Sequence, residues 1–81
     1  MKEILNKKLR QFPVFVEQGK DKWYAAFCPS LQGCYAQGKT LEDALMNIKE
    51  VIQLHIEDRI ETKELIPERK LVSLSALELA V

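Results

Sequence analysis

Residues 40–56 read Thr40-Leu41-Glu42-Asp43-Ala44-Leu45-Met46-Asn47-Ile48-Lys49-Glu50-Val51-Ile52-Gln53-Leu54-His55-Ile56, a cap followed by an amphipathic run. Thr40 is placed to accept from the amide of Asp43 while Asp43 reaches back, the arrangement of a capping box. Glu42 and Asp43 sit where the positive end of the helix dipole favours acid. Leu41, Ala44, Leu45, Ile48, Val51, Ile52, His55 and Ile56 recur at three- and four-residue spacing, which puts them in one stripe of a helix reaching to about Ile60. A helix of some twenty residues is about 30 Å long, enough to cross one face of a small sheet. Its stripe must be covered by that sheet, so truncating Ile48 or Ile52 to Ala is expected to cost roughly 2–5 kcal/mol.

Upstream the period changes from helical to alternating. Phe12, Val14 and Val16 alternate with Phe15 and Glu17, which marks a strand from about Arg10 to Gln18. Pro13 cannot donate to a ladder and assigns this strand to an edge, or itself to the strand's start. Gln18-Gly19-Lys20-Asp21-Lys22 is a polar hairpin connection, and Trp23 to Cys28 returns as the second strand. Pro29 stops it. In the loop that follows, Leu31 is the one large apolar side chain and is expected to plug the sheet end. Cys34 to Gln37 makes a short third strand, after which Gly38 offers positive φ before the helix.

Downstream, the helical register is lost after Ile60 and Pro67 ends any helix by Ile66. Val72, Leu74 and Ala76 then alternate with Ser73 and Ser75, but from Leu77 the apolar phase switches to Leu77, Leu79 and Val81. A bulge, a strand that changes sheets, or two short segments would each account for the switch. Left unpaired this tail would be a flat apolar edge, so it is expected to pair, with a second copy of the chain as one partner and Leu71–Val81 as the contact. The order is β-β-β-α-β. This is an α+β fold, a mostly antiparallel sheet with one long helix on one face, in a single domain over residues 1–81.

Composition narrows the function. The chain has 81 residues with 12 basic and 12 acidic side chains, so it carries no net charge and lacks the excess of cations that phosphate-backbone binding uses. The charges are segregated: residues 1–40 hold seven Lys or Arg against three acids, and residues 41–81 hold five against nine. That leaves a basic half and an acidic half, of about +4 and −4, able to orient a charged partner. No apolar run approaches the roughly 18 residues of a membrane span, and residues 1–9 are too polar for a secretory core, which points to the cytoplasm. There Cys28 and Cys34 are expected to be reduced, and their spacing fits neither a zinc site nor a C-x-x-C redox pair. They read as small buried apolar residues, with a bridge across the strand connection sterically open.

A catalytic constellation is hard to assemble. His55, the single histidine, lies at the edge of the apolar stripe, where a partly buried structural role outranks that of base or ligand. Glu17 is the one carboxylate on the first hairpin's strands, too few for metal-assisted phosphodiester cleavage. Glu57, Asp58, Glu61 and Glu64 cluster near the helix end without the glycine-bearing loop of a calcium site. Neither metal nor cofactor is expected, and the chain reads as a binding protein rather than an enzyme.

Cys28-Pro29-Ser30-Leu31-Gln32-Gly33-Cys34, followed by Gln37-Gly38-Lys39-Thr40-Leu41-Glu42-Asp43-Ala44, resembles the signature of the HicB family of antitoxins, a C-P-D-L-P-G-C stretch leading into Q-G-x-T-x-E-E-A. Trp23-Tyr24-Ala25-Ala26 before it and Asn47-Ile48-Lys49-Glu50-Val51-Ile52 after it extend the resemblance over about residues 12–60. Ser30, Gln32 and Asp43 depart from the family pattern but preserve the turn and the cap.

The resemblance implies a partial RNase H-like fold that lacks the nuclease carboxylates. It also implies a partner, a HicA-type toxin, which is a small basic mRNA-cleaving protein with a catalytic histidine whose active surface the antitoxin covers. The acidic half suits such a partner. The contact set expected on this basis is Pro29, Leu31, Gly33 and Tyr35, supported by Glu57 and Glu61. A plainer reading gives Pro29, Leu31 and Gly33 no task beyond building the turn. About fifteen residues follow Pro67, too few for the DNA-binding domain that many family members carry, so DNA binding by this chain alone is not expected. Two rival functions are a stand-alone homo-oligomeric interaction protein and a direct RNA-binding module using Lys7, Lys8, Arg10, Lys20 and Lys22.

Overall fold

A computed structural model describes residues 9–81. It shows β1 (Phe15–Gln18), β2 (Tyr24–Phe27) and β3 (Tyr35–Gly38) as an antiparallel sheet in the order β1-β2-β3, followed by one helix, α1 (Leu41–Glu61). The register sets Phe15 opposite Phe27 and Gln18 opposite Tyr24, then Tyr24 opposite Gly38 and Phe27 opposite Tyr35. The α+β class, the three strands and the helix agree with the sequence. Lys7 and Lys8 lie outside the described residues.

The hairpin closes by a three-residue connection. Gly19 N–H donates to the Trp23 carbonyl at 2.9 Å, and Lys22 N–H to the Gly19 carbonyl at 2.9 Å. Lys22 takes φ +69°, the left-handed residue that such a connection needs for its twist to match the strands. Asp21 supports the turn, its Oδ1 accepting from Trp23 N–H at 3.0 Å.

The helix begins as its cap foretold. Asp43 N–H donates to Thr40 Oγ1 at 3.0 Å, and Thr40 is extended at φ −126°, ψ 162°. The return bond from the Asp43 carboxylate is not formed, because Asp is one methylene shorter than the Glu that closes a capping box. At the far end Lys63 adopts φ +62°, Lys63 N–H donates to the Ile60 carbonyl at 3.2 Å, and Glu64 N–H donates to the Arg59 carbonyl at 2.8 Å. That pair of bonds is a Schellman motif with lysine where glycine is customary.

Ala26, Cys28, Leu31, Cys34, Ala44 and Ile48 form the buried core, with Val16, Tyr24, Ala36, Val51, Ile52 and Ile56 packed around it. The helix rests chiefly on β3 and then on β2. Gly38 makes that approach possible, for a Cβ there would lie 2.4 Å from the Ala44 nitrogen and 2.8 Å from Asp43 Cβ. The expectation of positive φ at Gly38 is thereby corrected, since among the described glycines positive φ belongs to Gly33, at +73°. Asn47 Nδ2 donates to the Gln37 carbonyl at 2.7 Å and fastens the helix to the end of β3.

The fifth element, the closing strand, is not formed. Residues 64–81 carry no regular structure, and Val72, Leu74, Leu77, Leu79 and Val81 are exposed. A strand exists by its ladder, and among the described residues this segment pairs with none of the three strands. β1 is also shorter than the alternation suggested, starting at Phe15 rather than Arg10, because residues 10–14 likewise have no strand on their flank.

Candidate functional site

The loop joining β2 to β3 is two turns back to back. Leu31 N–H donates to the Cys28 carbonyl at 3.2 Å, Cys34 N–H to the Leu31 carbonyl at 3.3 Å, and Cys28 N–H to the Cys34 carbonyl at 3.0 Å, which closes the loop at its base. Gly33 occupies the third position of the second turn, where positive φ is required of it. Pro29 presets φ at the second position of the first. The sequence therefore folds locally into a tight knuckle whose floor is Leu31, 2 % exposed and plugging the sheet end as expected.

Both cysteines are free and buried beneath the knuckle. Burial, and secondarily the neighbouring Cys28 thiol, pushes the Cys34 thiol up from 9.0 to about 11. At neutral pH it is an unreactive protonated thiol, in keeping with the reading of this pair as core residues.

Around the knuckle lies a shallow depression of about 330 Å³ lined by Phe15, Phe27, Cys28, Pro29, Leu31, Gln32, Gly33, Cys34 and Tyr35. The Phe15 and Phe27 rings stack with centroids 4.9 Å apart at 20°, and Tyr35 stands 62 % exposed at the start of the edge strand β3. The structure thus brings Pro29, Gly33 and Tyr35 together on one surface. Leu31 belongs to its floor and offers a partner little but shape. Sequence reasoning passed over Phe15 and Phe27, although their facing positions in the hairpin were a usable signal.

Glu57 and Glu61 are elsewhere. Both are exposed on the last turns of α1, and Glu57 lines a second, larger groove of about 950 Å³ between the helix and residues 9–14. Its walls are Phe12, Val14, Leu45, Ile48, Ile52, Ile56 and Ile60, with Leu9, Arg10, Lys49, Gln53, Glu57 and Ile66 at the rim. His55 is half-buried on α1. Among the described residues no three His, Cys, Asp or Glu side chains converge as metal ligands would, and no helix is long and apolar enough to cross a membrane. Of the cations in the RNA-binding alternative, Arg10 is paired with Glu68 at 3.1 Å, while Lys20 and Lys22 stand exposed in the hairpin turn.

The chain is similar in sequence to several relatives. A UPF0150 protein of Synechocystis sp. is 41 % identical over 69 residues, covering 85 % of this chain and 87 % of its own. Another from Thermoplasma acidophilum is 40 % identical over 57 residues, 70 % of this chain and 83 % of its own. One from Helicobacter pylori reaches 55 % identity over 42 residues, 52 % of this chain and 57 % of its own. Residues 12–78, which include the knuckle, the capped helix and most of the unpaired tail, match the model of the HicB-like antitoxins of bacterial toxin–antitoxin systems, and the chain belongs to that family.

Proposed function

We propose that this protein is the antitoxin of a toxin–antitoxin pair and silences a HicA-type mRNA-cleaving toxin by covering its active surface. The observation that carries the reading is family membership across residues 12–78. That span contains both the aromatic depression at the knuckle and the acidic end of α1. A blocking role asks for a rigid, shaped surface rather than reactive groups. The knuckle supplies one, built on backbone hydrogen bonds and fixed φ at Pro29 and Gly33, with Tyr35 as an exposed aromatic anchor.

Glu57 and Glu61 add negative charge for a basic partner and act mainly on the rate of encounter. The three-strand and helix order suits the partial RNase H-like fold that the family resemblance implies. Purified antitoxin would be mixed with the toxin encoded beside it, and RNA cleavage followed. Equimolar antitoxin is expected to abolish cleavage, and undiminished cleavage in that mixture ends the proposal.

A further inference from the structure

The long apolar groove beside α1 and the exposed apolar tail are two halves of one contact. We propose that the tail of each chain, Leu71–Val81, lies in the groove of a second copy, so that two copies exchange tails reciprocally.

The tail does not fold back on its own body. The Schellman turn at Lys63, the Arg59 Nη1 bond to the Leu65 carbonyl at 3.1 Å and Pro67 carry the chain across the groove's rim at Ile66, and Glu68 meets Arg10 there. Beyond that point residues 68–81 contain no Gly, Pro, Asn or Asp, the residues that most strongly reverse a chain. They continue as one extended stroke. Ser73 Oγ and Ser75 Oγ stand 3.1 Å apart, the neighbourhood of residues i and i+2 on one face of a strand.

Dimensions and phase fit the exchange. The groove follows α1 from Leu45 to Ile60, about 22 Å at 1.5 Å per residue. The eleven tail residues span about 36 Å when extended, more than the groove takes. We therefore assign the distal half, Leu77, Leu79 and Val81, to the partner's groove. The proximal half, Val72, Leu74 and Ala76, crosses between the two bodies beside its symmetry mate. The switch in apolar phase at Leu77 then has a cause, because the two halves pack on opposite sides. β1 is the edge of the sheet on the groove's side and leaves backbone groups free to pair with an incoming strand. Each copy carries both donor and acceptor, so the assembly closes on itself as a two-fold dimer. Tail and groove together reach the 20–30 residues per partner of a standard interface, by the usual count of about 800 Å² a side.

Sedimentation or light scattering on the full chain tests this. The native chain is expected at twice its 9.3 kDa. A tail variant, Leu77→Asp with Leu79→Asp, and a groove variant, Leu45→Glu with Ile60→Glu, all at exposed positions, are each expected at the single-chain mass with helix content retained by circular dichroism. An equimolar mixture of the two is expected to regain dimers, since one tail–groove contact remains intact. A native chain of single mass, a tail variant that keeps the native mass, a mixture that regains nothing, or an open-ended ladder of masses would each overturn the exchange. None of these results depends on a toxin, so failure here leaves the antitoxin reading standing and failure there leaves this one.

Discussion

The missing side chain of Gly38 and the amide of Ala44 occupy the same place: a Cβ on residue 38 would stand 2.4 Å from that nitrogen. Helix and sheet are joined there backbone to backbone, about one turn from where the Thr40 hydroxyl opens the helix. Gly38→Ala should push the first turn of α1 off β3 and lower stability by about 3 kcal/mol, the upper end of what overpacking costs. Gly33→Ala meets no atom within 4 Å and suffers only its φ of +73°, so about 1 kcal/mol is expected. Urea denaturation of the two variants, read at constant slope, distinguishes steric from torsional glycine.

Cutting the helix stripe should give unequal results. Ile48 is 2 % exposed among Ala26, Cys28 and Leu31, and Ile48→Ala is expected to cost about 3–4 kcal/mol. Ile52 is half-buried at the groove, so Ile52→Ala should cost about 1–2 kcal/mol in the single chain. A cost at Ile52 that rises with protein concentration would mean that a second copy covers it.

Lysine holds the left-handed position in two turns, Lys22 in the hairpin and Lys63 after the helix. Left-handed backbone costs a residue with a Cβ roughly 1–2 kcal/mol, of which glycine's greater freedom in the unfolded chain returns part. Lys22→Gly and Lys63→Gly should each raise stability by about 0.5–1 kcal/mol, measurable as a higher denaturation midpoint. A loss at Lys22 would show that its side chain contributes more to the hairpin than its backbone costs.

The Schellman end was hidden in the sequence for that reason: its usual mark is glycine, and here the mark is absent. What could be read was whatever a local rule encodes, the Thr40 cap, the period of α1, the alternation of three strands, the knuckle between Cys28 and Cys34. What could not be read depends on distance in space. Gly38 looked like a turn residue because close approach leaves no trace in neighbouring residues. Leu71–Val81 looked like a strand because its alternation is that of one, yet alternation supplies no partner. Glu57 was expected to support contact at the knuckle on its chemistry alone, and the structure puts it at the rim of a separate groove.

Alkaline pH should weaken the fold through Cys34. Its folded thiol titrates at about 11 against 9.0 when unexposed to these neighbours, so the folded state prefers the protonated form. That preference is fully present below pH 9 and is lost as pH rises through 11, removing up to about 2–3 kcal/mol by the linkage of two pH units. Cys34→Ala removes the window. Its stability should fall less between pH 9 and 11 than that of the native chain, and equal falls would assign the alkaline loss to other groups.

Tyr35 and Leu31 separate contact from support at the knuckle. Tyr35 is 62 % exposed with the Phe15–Phe27 stack beside it, so Tyr35→Ala should leave the denaturation midpoint nearly unchanged while weakening toxin binding tenfold or more, about 1.4 kcal/mol for each factor of ten. Leu31→Ala should do the reverse in origin: a fully buried leucine is lost, stability drops by about 3 kcal/mol, and binding suffers only as far as the knuckle loosens. Glu57→Lys with Glu61→Lys should slow association without changing dissociation, more so at low salt. If Tyr35→Ala binds and inhibits like the native chain while the charge reversals abolish inhibition, the toxin sits on the acidic end of α1 and the knuckle is only a turn.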